Sequence, residues 1–571
     1  MCACPASAWT VQPCAGRACL LARARASYES PRAKRQPTPT GNGWCLSSPT
    51  ETGRSGHAHG KRMRLGMPDT ARQPQGKRNR GGSRMDIHPS NLLMGNMKPR
   101  LRDRCPPLLS CNRPRSGIGC AGMTQASLLQ VPTAPARLPL LGHSLPLLNR
   151  SREFLCSLAE VGGLVRVYIG QMPLVVVTDA ELTRQMLNDS TTFDKGGGLY
   201  EKLSELTGAG LLTSQSELHK RQRRLIQPSF NRNALKAYSV GMAGVVEEAL
   251  RGWEDGRRID IKAAAYHIVS RISARSMFSA EMDDASIARV SEALSVYLNG
   301  LFVRTVGPGL IFDLLPIPGN LRYKQSIAIL HEEIRKIIDA YVNTGVERED
   351  VLSMLLKEKD EEEKAGLSPR EVHNQVTTLL LAGIETSAAT LCWALYLLSL
   401  HPDITRRLHA ELDSVLQGRN AQWDDIPHLK ETRRIVMETL RLYPPGWIFT
   451  RVTMRETVLG GYLLPQGTGI AYSPYLLHRN PSAFPQPDLF DPDRWLPERS
   501  KDLAMSNFVP FGGGARRCIG EMLGLTEVML TLATIASKWE VRDVENGPVE
   551  PAPAHVSLTP KHLRMRVTRR S

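Results

Sequence analysis

Residues 511–520 read Phe-Gly-Gly-Gly-Ala-Arg-Arg-Cys-Ile-Gly, a glycine-rich loop ending on one cysteine and leading into an apolar run, Glu521 to Ser537. A thiolate is both a nucleophile and a metal ligand. Glycines let backbone approach a flat ligand and adopt positive φ without a Cβ clash. Backbone N–H groups at the start of the following helix would stabilise negative charge on the Cys518 sulfur. Arg516, two residues earlier, adds a fixed cation. Such a thiolate suits a single open-faced metal, because a tetrahedral zinc site needs partner ligands and none is close in sequence.

Three more constellations could do chemistry. His219-Lys220-Arg221-Gln222-Arg223 puts His219 and Arg223 on one helical face, as a solvated basic surface or as two donors for a buried anion. Ala382-Gly383-Ile384-Glu385-Thr386-Ser387 sets a glycine, an acid and two hydroxyls inside an apolar helix, where they cost stability unless used. The plain alternative is a helix bend with Thr386 bonding back to the carbonyl four residues earlier. Glu438-Thr439-Leu440-Arg441 is an acid–base pair at i,i+3, by itself most often a weak surface ion pair.

The elements that must hold these residues follow from local patterns. Ser368-Pro369-Arg370-Glu371 is a capping box with proline at the first helical position. It launches the run Val372 to Leu400, closed by His401-Pro402 and long enough at 1.5 Å per residue to cross a domain. The stretch Leu379 to Leu400 imitates a membrane span, but Glu385 near its start would be expensive in lipid. Leu164–Ile169 and Leu174–Thr178 read as two strands joined through Gly170-Gln171-Met172-Pro173. Strands return between Val458 and Ala471 and near the C-terminus; the rest carries apolar residues at helical spacing.

The net charge of +17 suggests nucleic acid until its distribution is read. Residues 1–122 hold 21 Lys and Arg against five Asp and Glu, a net of +16; residues 123–571 hold 52 against 51. Eight of the eleven cysteines also precede residue 123, leaving Cys156, Cys392 and Cys518. The basicity therefore belongs to a leader and points to no nucleic-acid partner for the body. Residues 1–122 lack apolar periodicity and read as a disordered basic segment. They are Arg-rich and acid-poor like a transit peptide but long, Cys-rich and without an amphipathic helix. The preferred reading is a misplaced start, with Met123 opening a single domain, 123–571.

The spacing F-x-x-G-x-R-x-C-x-G resembles the haem-binding loop of the cytochrome P-450 family. The other constellations, with Phe490-Asp491-Pro492-Asp493-Arg494-Trp495, match that family's motifs in the same order. The resemblance implies a mainly α fold with a small β region, one haem-binding domain, and haem b between the Thr386 helix and the Cys518 loop. Cys518 would be the axial iron ligand, with Phe511, Gly514 and Gly520 in the binding loop. His219, Arg223, Arg451 and Arg516 would hold the propionates. Thr386 would relay protons with Glu385 as its acidic partner, and Glu438, Arg441 and Arg494 would form a structural triad. The implied reaction is monooxygenation by O2 of a hydrophobic small molecule, with electrons from a ferredoxin and its reductase. The Arg517, Lys220, Arg221 and Arg224 neighbourhood is the basic face expected to dock the ferredoxin.

Phe193-Asp194-Lys195-Gly196-Gly197 and Leu218 to Leu225 are similar to bacterial pentalenene oxygenase-like terpene oxidases, which implies a terpenoid of secondary metabolism, with fatty acid or polyketide as alternatives. Phe302, Leu310, Ile311, Trp447 and Phe449 are the expected pocket residues. A haem-thiolate isomerase or peroxygenase would not need the Glu385–Thr386 pair. A non-catalytic haem or gas sensor is the reading from another class. No membrane anchor is expected, and the location implied is cytoplasmic.

Overall fold

The structure, a computed structural model, describes residues 126–570 apart from 308–312, 314, 345–349, 358–365, 502, 504 and 544–546. The leader, Met123, Leu310 and Ile311 lie outside the described residues.

Helix Pro369–Leu400 is the element around which the others pack. It starts where the capping box places it: the Glu371 N–H donates to Ser368 Oγ at 3.3 Å, and the Ser368 N–H donates to the Glu371 carboxylate at 2.9 Å. Its neighbours are Ile261–Phe278, Lys430–Leu442 and Glu521–Lys538. Enclosure on several sides explains why so apolar a helix occurs in this chain. Among the described residues it is the one helix long and apolar enough to cross a membrane, yet 83% of that apolar window lies inside the protein. Helices Asp284–Val306 and Pro318–Thr344 pack on each other, and the latter also packs on the long helix.

The β content is small. A five-stranded sheet runs in the order 164–169, 172–177, 469–472, 449–453, 193–194. The N-terminal hairpin is antiparallel, and its second strand runs parallel to Gly469–Tyr472, pairing Leu174 with Gly469 and Val177 with Tyr472. Phe449–Thr453 and Phe193–Asp194 complete the sheet, pairing Asp194 with Val452. Residues far apart in sequence, Asp194, Arg451 and Tyr472, thus come together at one end of it. Two three-stranded sheets join 126–127, 457–459 and 462–464, and 258–260, 539–543 and 564–569.

The mainly helical architecture matches the expectation, with local differences. The hairpin turn is Gly170-Gln171 alone, with Gly170 at φ +60°, and the second strand already begins at Met172. Pro173 is accommodated there because the pairing with Gly469–Tyr472 starts only at Leu174. Strand Phe449–Thr453 was not anticipated. It is five residues long and starts two residues after Pro444-Pro445-Gly446, too short for its alternation to stand out.

Candidate functional site

The Cys518 loop is closed by its own backbone: the Cys518 N–H donates to the Phe511 carbonyl at 2.9 Å, and the Gly512 N–H to Val509 at 3.0 Å. Gly512 and Gly514 have φ of +70° and +61°. A Cβ at Gly514 would also collide with the Leu187 carbonyl oxygen, so glycine there serves the contact between loop and helix Ala180–Asn188. Gly520 differs: its φ is −89°, and a Cβ would meet only Phe230, at 3.8 Å. It caps helix Glu521–Lys538 and its N–H bonds to Cys518.

The Cys518 side chain opens onto a cavity of about 350 Å³ while protein surrounds it on the other sides. Burial pushes its thiol pKa up; the Gly520 N–H, Lys195 and Arg223 pull the other way, and Glu521 opposes them. The expected contribution of Arg516 to the sulfur is corrected here. Its guanidinium is instead paired with Asp194 and donates to the Ser214 carbonyl at 2.9 Å. Two residues of separation in an irregular loop do not aim side chains the same way.

Around the same cavity stand Lys195, His219, Arg223, Arg451 and Arg516. Asp194 organises this group. Its carboxylate accepts from the Lys195 N–H at 2.8 Å and from the Ser216 N–H at 2.7 Å, at the start of helix Ser216–Ile226 that carries His219 and Arg223. Burial and the nearby cations Arg516, Lys195 and Arg223 lower the His219 pKa to about 3, so it is neutral. Burial, then Arg451 and Arg516, hold the Lys195 ammonium well below its usual range. Arg223 donates to the Arg517 carbonyl at 2.7 Å.

Three guanidiniums and the Lys195 amine gather around the single carboxylate of Asp194, an excess of basic groups that is unfavourable in a low-dielectric interior without counter-charge. Two propionates would supply counter-charge to these side chains and the Cys518 thiolate a ligand, so the residues present fit a haem held by Cys518. The donors expected from sequence thus line one cavity, joined by Lys195, with Asp194 behind them as the partner of Arg516. In the sequence their segment stands out only by its likeness to terpene oxidases.

Thr386 borders the same cavity, and its Oγ1 donates to the Ala382 carbonyl at 2.7 Å, the back-bond that is the plain alternative. Glu385 is buried with its carboxylate turned to Tyr266, whose hydroxyl donates at 2.5 Å. The acid and the hydroxyl therefore do not touch each other directly. Sequence reading missed a third group, Glu527, nine residues after Cys518 in the helix following the loop. It is 4% exposed, borders the same cavity, and accepts from Ser387 Oγ at 2.7 Å. Burial pushes its pKa up to about 8. An isolated acid in an apolar helix was the available signal, the one that drew attention to Glu385.

Glu438, Arg441 and Arg494 come together in the interior. Arg441 clasps Glu438 through two bonds of 2.9 and 2.8 Å, and Arg494 reaches it at 3.1 Å. The Trp495 indole and the Asp491 N–H fill the remaining acceptor positions at 3.0 and 3.1 Å. The arginines spend their other donors on the carbonyls of His478, Pro485, Gln486, Pro487 and Leu489. None of the three lines the cavity, and the cluster ties Lys430–Leu442 to the segment that leads into the cysteine loop.

Of the expected pocket residues, Phe449 lines the cavity. Phe302 and Trp447 do not: their rings pack at a tilt, 5.8 Å apart, inside the core, and the Trp447 indole donates to the His555 carbonyl. The basic face is also less charged than its sequence suggests. Lys220 pairs with Glu217, Arg221 with Glu371, and Arg517 with Glu521.

The family model for cytochrome P450 matches residues 132–567. Cyclooctatin synthase of Streptomyces melanosporofaciens is 41% identical over 433 residues, 76% of this chain and 94% of that protein. Pentalenene oxygenase of Streptomyces avermitilis is 40% identical over 439 residues, 77% and 97% respectively. The crystal structure of the cytochrome P450DA heme domain superposes with a TM-score of 0.69 at 26% identity, covering 77% of this chain and 98% of that one.

Proposed function

The chain belongs to the cytochrome P450 family, and from that premise we propose that it is a monooxygenase acting on a terpenoid in secondary metabolism. The observation that carries the reading is the cavity bordered together by a thiol, a cluster of basic side chains and a hydroxyl-bearing helix. Its remaining wall is apolar, with Leu199, Leu203, Leu211, Leu298 and Phe449, which supports a hydrophobic substrate. The names of two relatives, pentalenene oxygenase and cyclooctat-9-en-7-ol 5-monooxygenase, support a terpenoid over a fatty acid or polyketide.

Cys518 would hold haem b, with Arg451, Lys195, Arg223 and Arg516 balancing its propionates and His219 as a neutral donor. When bound, the haem supplies O2 activation, favoured by thiolate ligation. The chain's own residues exclude water and manage protons. Thr386 spends its hydroxyl proton on Ala382 and keeps its oxygen lone pairs as acceptors at the cavity wall. Glu385, tied to Tyr266, must reach Thr386 through water or by turning. Electrons come from outside the chain, and ferredoxin with its reductase is the proposed source. The proposed location is cytoplasmic.

The test is a binding screen that follows the haem absorption band with a terpene, fatty-acid and macrolide panel. The terpenoid reading expects a spin-state shift with terpenes alone. A response confined to fatty acids or macrolides overturns it. Holoprotein that consumes no NADPH with a surrogate ferredoxin and reductase, whatever the ligand, returns the sensor reading.

A further inference from the structure

Helix Ile261–Phe278 packs beside Arg232–Ser239, Met242–Leu250 and Val351–Lys357. At its C-terminal end these elements leave a second cleft of about 310 Å³, separate from the cavity at Cys518 and sharing Met242 and Ser276 with it as a common wall. Val240, Met242 and Val245 give it an apolar side. Tyr238 and Asp350, 3% and 2% exposed, also line it. Both are pinned through other atoms. The Tyr238 carbonyl accepts from Ser276 Oγ at 3.0 Å, and Asp350 Oδ1 accepts from the Ser353 N–H at 2.8 Å.

Their remaining oxygens, Tyr238 Oη and Asp350 Oδ2, are buried with no hydrogen-bond partner among the described residues. Buried polar groups left unpaired cost stability, a carboxylate oxygen most of all. Burial, then the neighbouring Asp350, push the Tyr238 pKa up, so the phenol keeps its proton beside the carboxylate. Arg275, the basic residue lining the cleft, is already held by Glu281 at 2.8 Å and Glu248 at 3.5 Å. Set against Glu281 and Asp350, it leaves the lining with one surplus negative charge. A metal ion does not suit that charge. Among the described residues no group of three or more His, Cys, Asp or Glu could hold one, and hard cations take six or more oxygen ligands.

We propose that this cleft is a second binding site, for a small organic cation that carries N–H donors on a short apolar chain. The N–H groups donate to Asp350 Oδ2 and Tyr238 Oη, the two oxygens left over in the cleft. The positive charge offsets the surplus carboxylate, and a charge-assisted bond of this kind is stronger than a neutral one. The carbon chain lies against Val240, Met242 and Val245. Guanidinium and primary ammonium groups meet these requirements; a quaternary ammonium, which has no N–H, does not. The site takes no part in oxidation, so it stands independently of the monooxygenase reading.

The test is a calorimetric titration of the holoprotein with n-butylguanidinium, which stays charged at every working pH and has no nitrogen lone pair to offer the haem iron. It should bind saturably at one site per chain. n-Butylurea, of the same shape but neutral, should bind about tenfold or more weakly. Asp350→Asn keeps a side-chain oxygen for the Ser353 N–H and removes the charge, so it should weaken the guanidinium by about tenfold or more. Tyr238→Phe removes a hydroxyl that has no partner. Its melting midpoint without ligand should hold or rise, while its affinity falls about threefold or more. Should Asp350→Asn fail to fold, Tyr238→Phe and n-butylurea carry the decision. No saturable binding at millimolar n-butylguanidinium, equal affinity for n-butylurea, or unchanged affinity in either folded variant overturns the proposal.

Discussion

Replacing Glu527 by Gln should stabilise the protein, and by an amount that depends on pH. The side chain is 4% exposed, and burial raises its pKa from 4.5 to about 8. In the unfolded chain the carboxyl ionises near 4.5, whereas the folded protein keeps the proton to about 8. Between those values the folded state binds the extra proton, so stability falls as pH rises, at about 1.4 kcal/mol per unit. Below about pH 4.5 the group costs nothing; by pH 7 it costs about 3 kcal/mol, and above about 8 the loss is complete. Glutamine keeps an oxygen toward Ser387 and never ionises, so its variant should not show this slope. For a folded unit spanning 132–567, with an unfolding entropy of about 0.9 kcal/mol/K, the gain is a midpoint rise of about 3 °C at pH 7 and under about 1 °C at pH 5. Calorimetric or fluorescence melts of both holoproteins from pH 5 to 8 make the measurement, and other titrating groups cancel in the difference. Parallel profiles for the two proteins would show that Glu527 does not hold a proton at neutrality and would refute the reasoning.

Cys518→Ala should abolish the thiolate-type carbonyl absorption of the reduced protein and its activity; a retained band would mean that another residue ligates the iron. Glu438→Ala or Arg441→Ala strands a fully buried partner, at about 3–5 kcal/mol, so expression should yield little holoprotein, measured as haem per polypeptide. Lys195→Met removes one of the cations proposed to balance the propionates. With a charged hydrogen bond contributing about 1.5–3 kcal/mol, haem transfer to an acceptor protein should speed up by about tenfold or more, while the melting midpoint of the apoprotein, relieved of one crowded basic group, does not fall. Thr386→Ala should leave fold and spectrum intact, since its hydroxyl bonds only within its own helix, but should lower product per NADPH and raise peroxide, the affected proton step slowing about 10²–10⁴-fold. Equal coupling in the two proteins would reduce Thr386 to a helix residue.

Local spacing determined a good deal of this protein. The capping box at Ser368, the proline start at Pro369, the pairing of Glu438 with Arg441 and the helix after Cys518 all depend on residues within four positions of each other, where backbone geometry sets the neighbours. The glycine–cysteine loop was equally legible, since positive φ at Gly512 and Gly514 is a property of the residues themselves. Direction and charge environment were not. Whether Arg516 served Cys518 or Asp194 depended on a sheet joining residues 193–194 to 449–453. Phe302 and Trp447 found each other in the core, while Phe449, two residues on from Trp447, reached the cavity. Lys195 and Glu527 became unusual only through burial, because a carboxyl or an ammonium departs from its ordinary pKa when packing removes water around it. Desolvation sums over all the elements that converge on a point, and no window along the chain contains that sum; the tertiary structure alone decides it.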